Sequence, residues 1–132
     1  MILKTILIFL VTVLGYSEWA LGTSYFQRPI VLGPLVGLIM GDLQAGIVMG
    51  ATLELAMIGA VSIGAYNPPD LIAGTILGVS LAIQSGANAS AALTLGIPIA
   101  TLLLAANTAI GEPLRLIFIH RCDKNAEDGN YK

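Results

Sequence analysis

Apolar residues run in blocks along this chain, and a transmembrane helix needs about 20 of them in succession. The first block extends from Ile2 to Leu21. Trp19, Tyr25 and Phe26 lie at its end, where amphipathic aromatics favour a membrane interface, and Arg28-Pro29 then breaks it. Pro29 to Gly41 is apolar but too short to cross a bilayer unaided, which predicts a half-helix or a re-entrant arm. Asp42 to Ala65 is long enough to span and carries Glu54 near its middle. It ends at Tyr66-Asn67-Pro68-Pro69-Asp70, where consecutive prolines lack amide donors and push the preceding residues out of helical geometry. Leu71 to Ile83 is short again, and Gln84 to Ser90 is a break of small polar residues. Ala91 to Ile110, with Pro98 inside it, supplies the last span. After Gly111-Glu112-Pro113 the pattern turns amphipathic to about Arg121 and then polar.

This pattern predicts an all-α integral membrane protein with about four to five hydrophobic segments, combining full spans with Gly/Pro-broken re-entrant half-helices. Residues 1–111 form the membrane domain, and 112–132 an amphipathic helix end with a polar tail. Arg115, Arg121 and Lys124 cluster there against Lys4 alone at the start, which places the tail in the cytoplasm under the positive-inside bias. The basic start and short apolar core of residues 4–14 also fit a secretory signal, but no small-x-small cleavage site precedes a polar sequence. An uncleaved first span is the expectation.

Composition strengthens the membrane reading. Of 132 residues, 56% are hydrophobic and 11% charged, against roughly 25% charged in an average soluble domain. So short a soluble chain leaves much of its surface exposed and has no interior for that apolar area. Residues 43–111 hold just two charged side chains, Glu54 and Asp70.

The net charge of −2 and the lack of a basic, aromatic-interleaved stripe exclude nucleic acid as a partner. The single Cys122 excludes an intrachain disulfide, and no histidine and cysteine set has metal-ligand spacing. Neither a phosphate-binding loop, a nucleophile elbow nor a dinucleotide fingerprint is present, so no cofactor and no catalysis by this chain alone are expected. His120 reads as a solvated tail histidine, with no carboxylate beside it to make it a base or phosphoryl acceptor.

The candidate chemistry lies in the rare polar groups. Gly33, Gly37, Gly41 and Ala45 recur every four residues, and Asp42, Gly46, Gly50 and Glu54 continue that spacing. Such stripes allow close helix packing. A mid-span carboxylate costs roughly 2.5–3.5 kcal/mol or more to insert, so Glu54 needs a partner or a task. It either locks helices together, couples protons, or accepts hydrogen bonds from sugar hydroxyls in a partly dry site. Asn67-Pro68-Pro69-Asp70 is either an interfacial turn or a bend presenting an amide and a carboxylate to a polyol. Gln84 and Asn88 are further candidate polar contacts.

Arg28-Pro29, Gly41-Asp42, Gly46, Gly50, Thr52-Leu53-Glu54, Gly64-Ala65 and Pro69-Asp70, with the tail His120 to Asn130, resemble a known family at its own spacing. It is the membrane IIC subunit of the mannose/fructose/sorbose class, including N-acetylgalactosamine systems, of the bacterial phosphoenolpyruvate-dependent sugar phosphotransferase system. The resemblance runs from about Tyr25 to Asn130 and covers the N-terminal half of such a subunit.

It implies a multi-pass inner-membrane permease working with a IID membrane subunit, with soluble IIA and IIB domains relaying phosphate through HPr. It also implies an elevator-like motion. Carried onto this chain, the substrate-binding residues are Glu54, Asn67 and Asp70, with Gln84 added from its polarity. Asp42, Gly41, Gly46, Gly50, Pro68 and Pro69 shape the half-helix junctions. The implied substrate is a hexose or N-acetylhexosamine, and the implied assembly an oligomer in which a separate chain supplies the C-terminal half. A non-transporting remnant or small interaction subunit is the alternative.

Overall fold

The structure, a computed structural model, describes residues 2–22, 24–64, 66–127 and 129, with the side chains of all but Trp19 and Leu21. The interfacial role expected of Trp19, the Ala65 end of the third segment, and the tail residues Asp128, Asn130 and Lys132 lie outside the described residues. The described chain is helical: α1 Ile2–Tyr16, α2 Glu18–Leu21, α3 Pro29–Met40, α4 Leu43–Met57, α5 Leu71–Gln84 and α6 Ala89–Glu127.

The first block is therefore not one helix to Leu21. Both the amide and the hydroxyl of Ser17 donate to Val13 O, at 2.9 and 2.6 Å, which tightens and closes α1. Glu18 then starts a single new turn. Its buried carboxylate accepts the amides of Tyr25 and Gln27, at 3.3 and 3.4 Å, and so folds the next loop back.

Helices α3 and α4 form a hairpin whose turn is set by its sequence. Arg28 is extended before Pro29, which suits a proline at the first helical position. Gly41, at φ 98°, takes the left-handed conformation that ends α3, and both its amide and that of Asp42 donate to Gly37 O at 2.9 Å. Asp42 caps α4 by accepting the Ala45 amide at 2.9 Å. The glycine stripe is thus not one helical face. Gly41 breaks it, and its two halves fold onto each other: a Cβ on Gly33 would lie 2.5 Å from Gly50 Cα, and one on Gly37 2.7 Å from Gly46 Cα.

Helices α5 and α6 repeat the device. Gly86 has φ 65°, and Asn88 Oδ1 accepts the Ala91 amide at 3.3 Å. A Cβ on Gly78 would lie 2.9 Å from Gly96 Cα. The hairpins pack α3 on α5 and α4 on α6 around buried Leu32, Val36, Leu53, Ile76 and Val79. Helix α1 lies against this core at Gly15, where a Cβ would come 3.0 Å from Ile72 Cγ2.

Two segment lengths differ from expectation. The third segment does not stay helical to its expected end; α4 ends at Met57, and turns follow through Ala60 N to Met57 O and Val61 N to Gly59 O. Gly59 and Gly64 (φ 63°) disfavour continuing the helix. In contrast, α6 runs unbroken through Pro98 and the 111–113 segment to Glu127. Among the described residues α6 alone is long and apolar enough to cross a membrane; α1, α3, α4 and α5 are apolar helices of 10–17 residues. Ile2, Phe9 and Leu10 of α1 and Leu102, Ile110 and Phe118 of α6 all face outward.

Candidate functional site

At the end of the bundle opposite the two hairpin turns, the starts of α3 and α5, the loops before them and the middle of α6 enclose an open cleft of about 290 Å³. That lies just under the ~300–1,000 Å³ typical of ligand pockets, a size for one small molecule. Its floor is apolar, from Leu71, Ile72 and Leu104, but its walls carry Tyr16, Gln27, Arg28, Asn67, Asp70, Asn107, Thr108, Glu112 and Arg115. So many hydrogen-bonding groups in so apolar a chain fit a polyhydroxylated ligand.

The acids serve first as helix caps. Asp70 Oδ1 accepts the Ala73 amide at 3.0 Å, which starts α5, and Oδ2 accepts the Tyr16 hydroxyl at 2.6 Å, which ties α1 to α5. The Asp70 amide donates to Ala100 O at 3.2 Å, fixing the proline loop against α6. Glu54 reaches across from α4: Oε2 accepts the Ile30 amide at 3.3 Å, capping α3 from another helix. Oε1 accepts Arg28 Nε at 2.8 Å and also Arg28 Nη2. Both side chains of this pair are about one-sixth exposed.

Tyr16→Phe is expected to lower the stability of the detergent-solubilised chain by about 1 kcal/mol, the usual worth of one hydrogen bond, read as a small drop in thermal midpoint.

The cleft brings together Asn67, Pro68, Pro69 and Asp70 of the expected site. Glu54 does not line it; Arg28, which Glu54 holds, does. Gln84 is exposed at the far end of α5, roughly 20 Å of helix from Asp70 at 1.5 Å per residue. Asp42 and Asn88 sit at the hairpin turns, in the lining of a second cavity of about 310 Å³. Gly41, Gly46 and Gly50 shape the α3–α4 junction. His120 is exposed on α6, its Nδ1 2.8 Å from Leu116 O.

Sequence reasoning missed Tyr16, Gln27, Asn107, Thr108, Glu112 and Arg115 as cleft residues, and took Arg28 as a chain break. A signal for Arg28 existed: it is the sole cation between Lys4 and Arg115, on a chain whose Glu54 needed a partner.

Residues 2–132 match the family model described as the PTS system sorbose-specific IIC component. The mannose-specific EIIC component of Escherichia coli (strain K12) is 33% identical over 128 residues, 97% of this chain and 48% of that protein. N-acetylgalactosamine permease IIC component 1 of the same strain is 36% identical over 94 residues, 71% of this chain and 35% of that protein. A cryo-EM structure of the mannose transporter ManYZ in complex with microcin E492 matches with a TM-score of 0.81 at 32% identity, over 98% of this chain and 52% of that one. The chain thus spans about half the length or less of these relatives. A match over nearly its whole length, joined to the broken-helix hairpins and the polar cleft, shows that this membrane chain belongs to the sorbose-type IIC family of the sugar phosphotransferase system.

Proposed function

We propose that this chain is the N-terminal, sugar-binding half of a IIC permease in the bacterial inner membrane, and that its cleft holds a hexose or N-acetylhexosamine. It assembles as a multi-pass unit with a IID membrane subunit and the rest of IIC. IIA and IIB relay phosphate from phosphoenolpyruvate through HPr to the sugar; this chain carries no phosphoryl chemistry itself. The observation supporting this reading is the polar cleft between the 67–70 loop and α6.

The Tyr16 hydroxyl on Asp70 Oδ2 occupies the position a sugar hydroxyl would take, so substrate replaces an existing hydrogen bond rather than desolvating a bare carboxylate. Asn67 supplies both donor and acceptor beside it. Glu54 serves the site by holding Arg28, a residue of the cleft lining. Two hairpins closed by glycine packing form a rigid body suited to elevator-like displacement.

In cells expressing the chain together with the rest of IIC and its IID and IIB partners, Asn67→Ala combined with Asp70→Asn is expected to reduce labelled-sugar phosphorylation by about 100-fold, from two polar contacts worth roughly 1–3 kcal/mol each. Unchanged phosphorylation would remove the cleft as the sugar site. A small non-transporting interaction subunit is the second reading, favoured by the apolar outer faces of α1 and α6. Co-purification with membrane partners, with sugar uptake unaffected by deleting the chain, would establish it.

A further inference from the structure

One wall of the cleft, the 67–70 loop, follows from the sequence; the other is α6, and it is built with the same care. From Ile97 to Ile119 α6 is apolar except for Thr101, Asn107, Thr108, Glu112 and Arg115. The last four line the cleft, at a spacing that keeps them on one side of the helix. Glu112 and Arg115 satisfy each other at 3.2 Å. Thr12, Thr52, Thr94 and Thr101 donate their hydroxyls to the carbonyl four residues earlier, whereas the buried Thr75 hydroxyl of α5 has no partner. Among the described residues neither the Thr108 hydroxyl nor the Asn107 carboxamide has a partner, and both side chains are exposed at the cleft wall, open to a ligand.

Room has also been made for that amide. A Cβ on Gly111, one turn on, would lie 2.5 Å from Asn107 Oδ1, so the carboxamide lies along the helix in the space left by glycine. In an apolar helix an unpartnered amide is costly unless water or a ligand meets it.

We propose that Asn107 and Thr108 are sugar-contacting residues that complete the site from α6, with Gly111 as the positioning residue that orients Asn107. The inference rests on the reading that the cleft holds the sugar. Asp70 and Asn67 grip the ligand from the loop, and Asn107, donor and acceptor at once, meets a hydroxyl or acetamido group on its other side. Substrate choice between a hexose and its N-acetylated amine then falls to α6 rather than to the proline loop.

The test uses membranes of cells co-expressing the chain with its partners, on a Cys122→Ser background that removes the exposed native thiol. Asn107→Cys, Asn67→Cys and, as the distant reference, Gln84→Cys are reacted with a charged thiol reagent, with and without mannose or N-acetylgalactosamine. One of the two sugars is expected to slow labelling of both cleft positions by roughly five-fold, since pockets cover about 70–90% of a ligand's surface, and to leave Gln84→Cys unchanged. Protection at Asn67→Cys with none at Asn107→Cys overturns the proposal and leaves the cleft standing. Absence of protection at both removes the cleft and the proposal together. Gly111→Ala is expected to raise the KM for uptake by roughly five-fold, about one hydrogen bond, at unchanged kcat. A wild-type KM would take Gly111 out of the site.

Discussion

Arg28→Ala lowers the stability of the purified chain by about 3–5 kcal/mol, because it strands the Glu54 carboxylate in a mostly buried position. Glu54 then keeps one partner, the Ile30 amide at 3.3 Å. Glu54→Ala has a comparable effect from the other side, leaving the guanidinium unpaired and the start of α3 uncapped. The double variant Arg28→Met with Glu54→Leu removes both charges and recovers much of the loss, since apolar replacement of a buried pair is often neutral or better. Thermal unfolding in detergent of the two single variants and the double variant forms the cycle. Additive losses would show that the two side chains do not act as a pair.

Gly37→Val separates α3 from α4. The added Cβ would meet Gly46 Cα and Asp42 O, both at 2.7 Å, and these are backbone atoms that cannot rotate away. Overpacking typically costs about 1–3 kcal/mol where side chains can yield, and here the helices themselves must move apart, so the loss lies at or beyond the upper end. The expected readout is a sharp fall in folded yield and thermal midpoint. Gly41→Ala gives a smaller loss of a different origin: nothing crowds its Cβ, but its φ of 98° strains any residue with a side chain. A Gly37→Val protein as stable as its parent would contradict the hairpin contact.

The short helices were legible because each is punctuated. Arg28-Pro29 and Gly41-Asp42 bracket α3 as the sequence suggests, and Asp70 and the 84–90 break bracket α5. What spacing could not reveal is that a four-residue repeat continues across a turn. Gly33 and Gly37, and again Gly46 and Gly50, have the spacing of a helix face, yet a single left-handed residue at Gly41 folds the two pairs into faces in contact. The end of α4 was hidden for another reason. Hydropathy counts apolar residues whether or not they are helical, so the run to Ala65 reads the same with or without hydrogen bonds. The lining of the cleft was half legible: the 67–70 loop stands out by its prolines, while Asn107 and Thr108 lie inside an apolar run that hydropathy averages away. The capping bonds of Asp70 and Glu54 were visible only in three dimensions, where each, like Asp42 at its junction, accepts the amide of a helix start.

The unbroken course of α6 has a mechanical consequence. At 1.5 Å per residue its 39 residues extend about 58 Å, nearly twice the ~30 Å hydrocarbon thickness. Its buried residues, Ala92, Gly96 and Ala100, all fall in the first third. Among the described residues the helix is thus packed at one end, with the cleft wall near its midpoint and the basic residues Arg121 and Lys124 towards its tip. A tilt of that packed third by about 10° would carry the Arg121–Lys124 end some 10 Å at that rise.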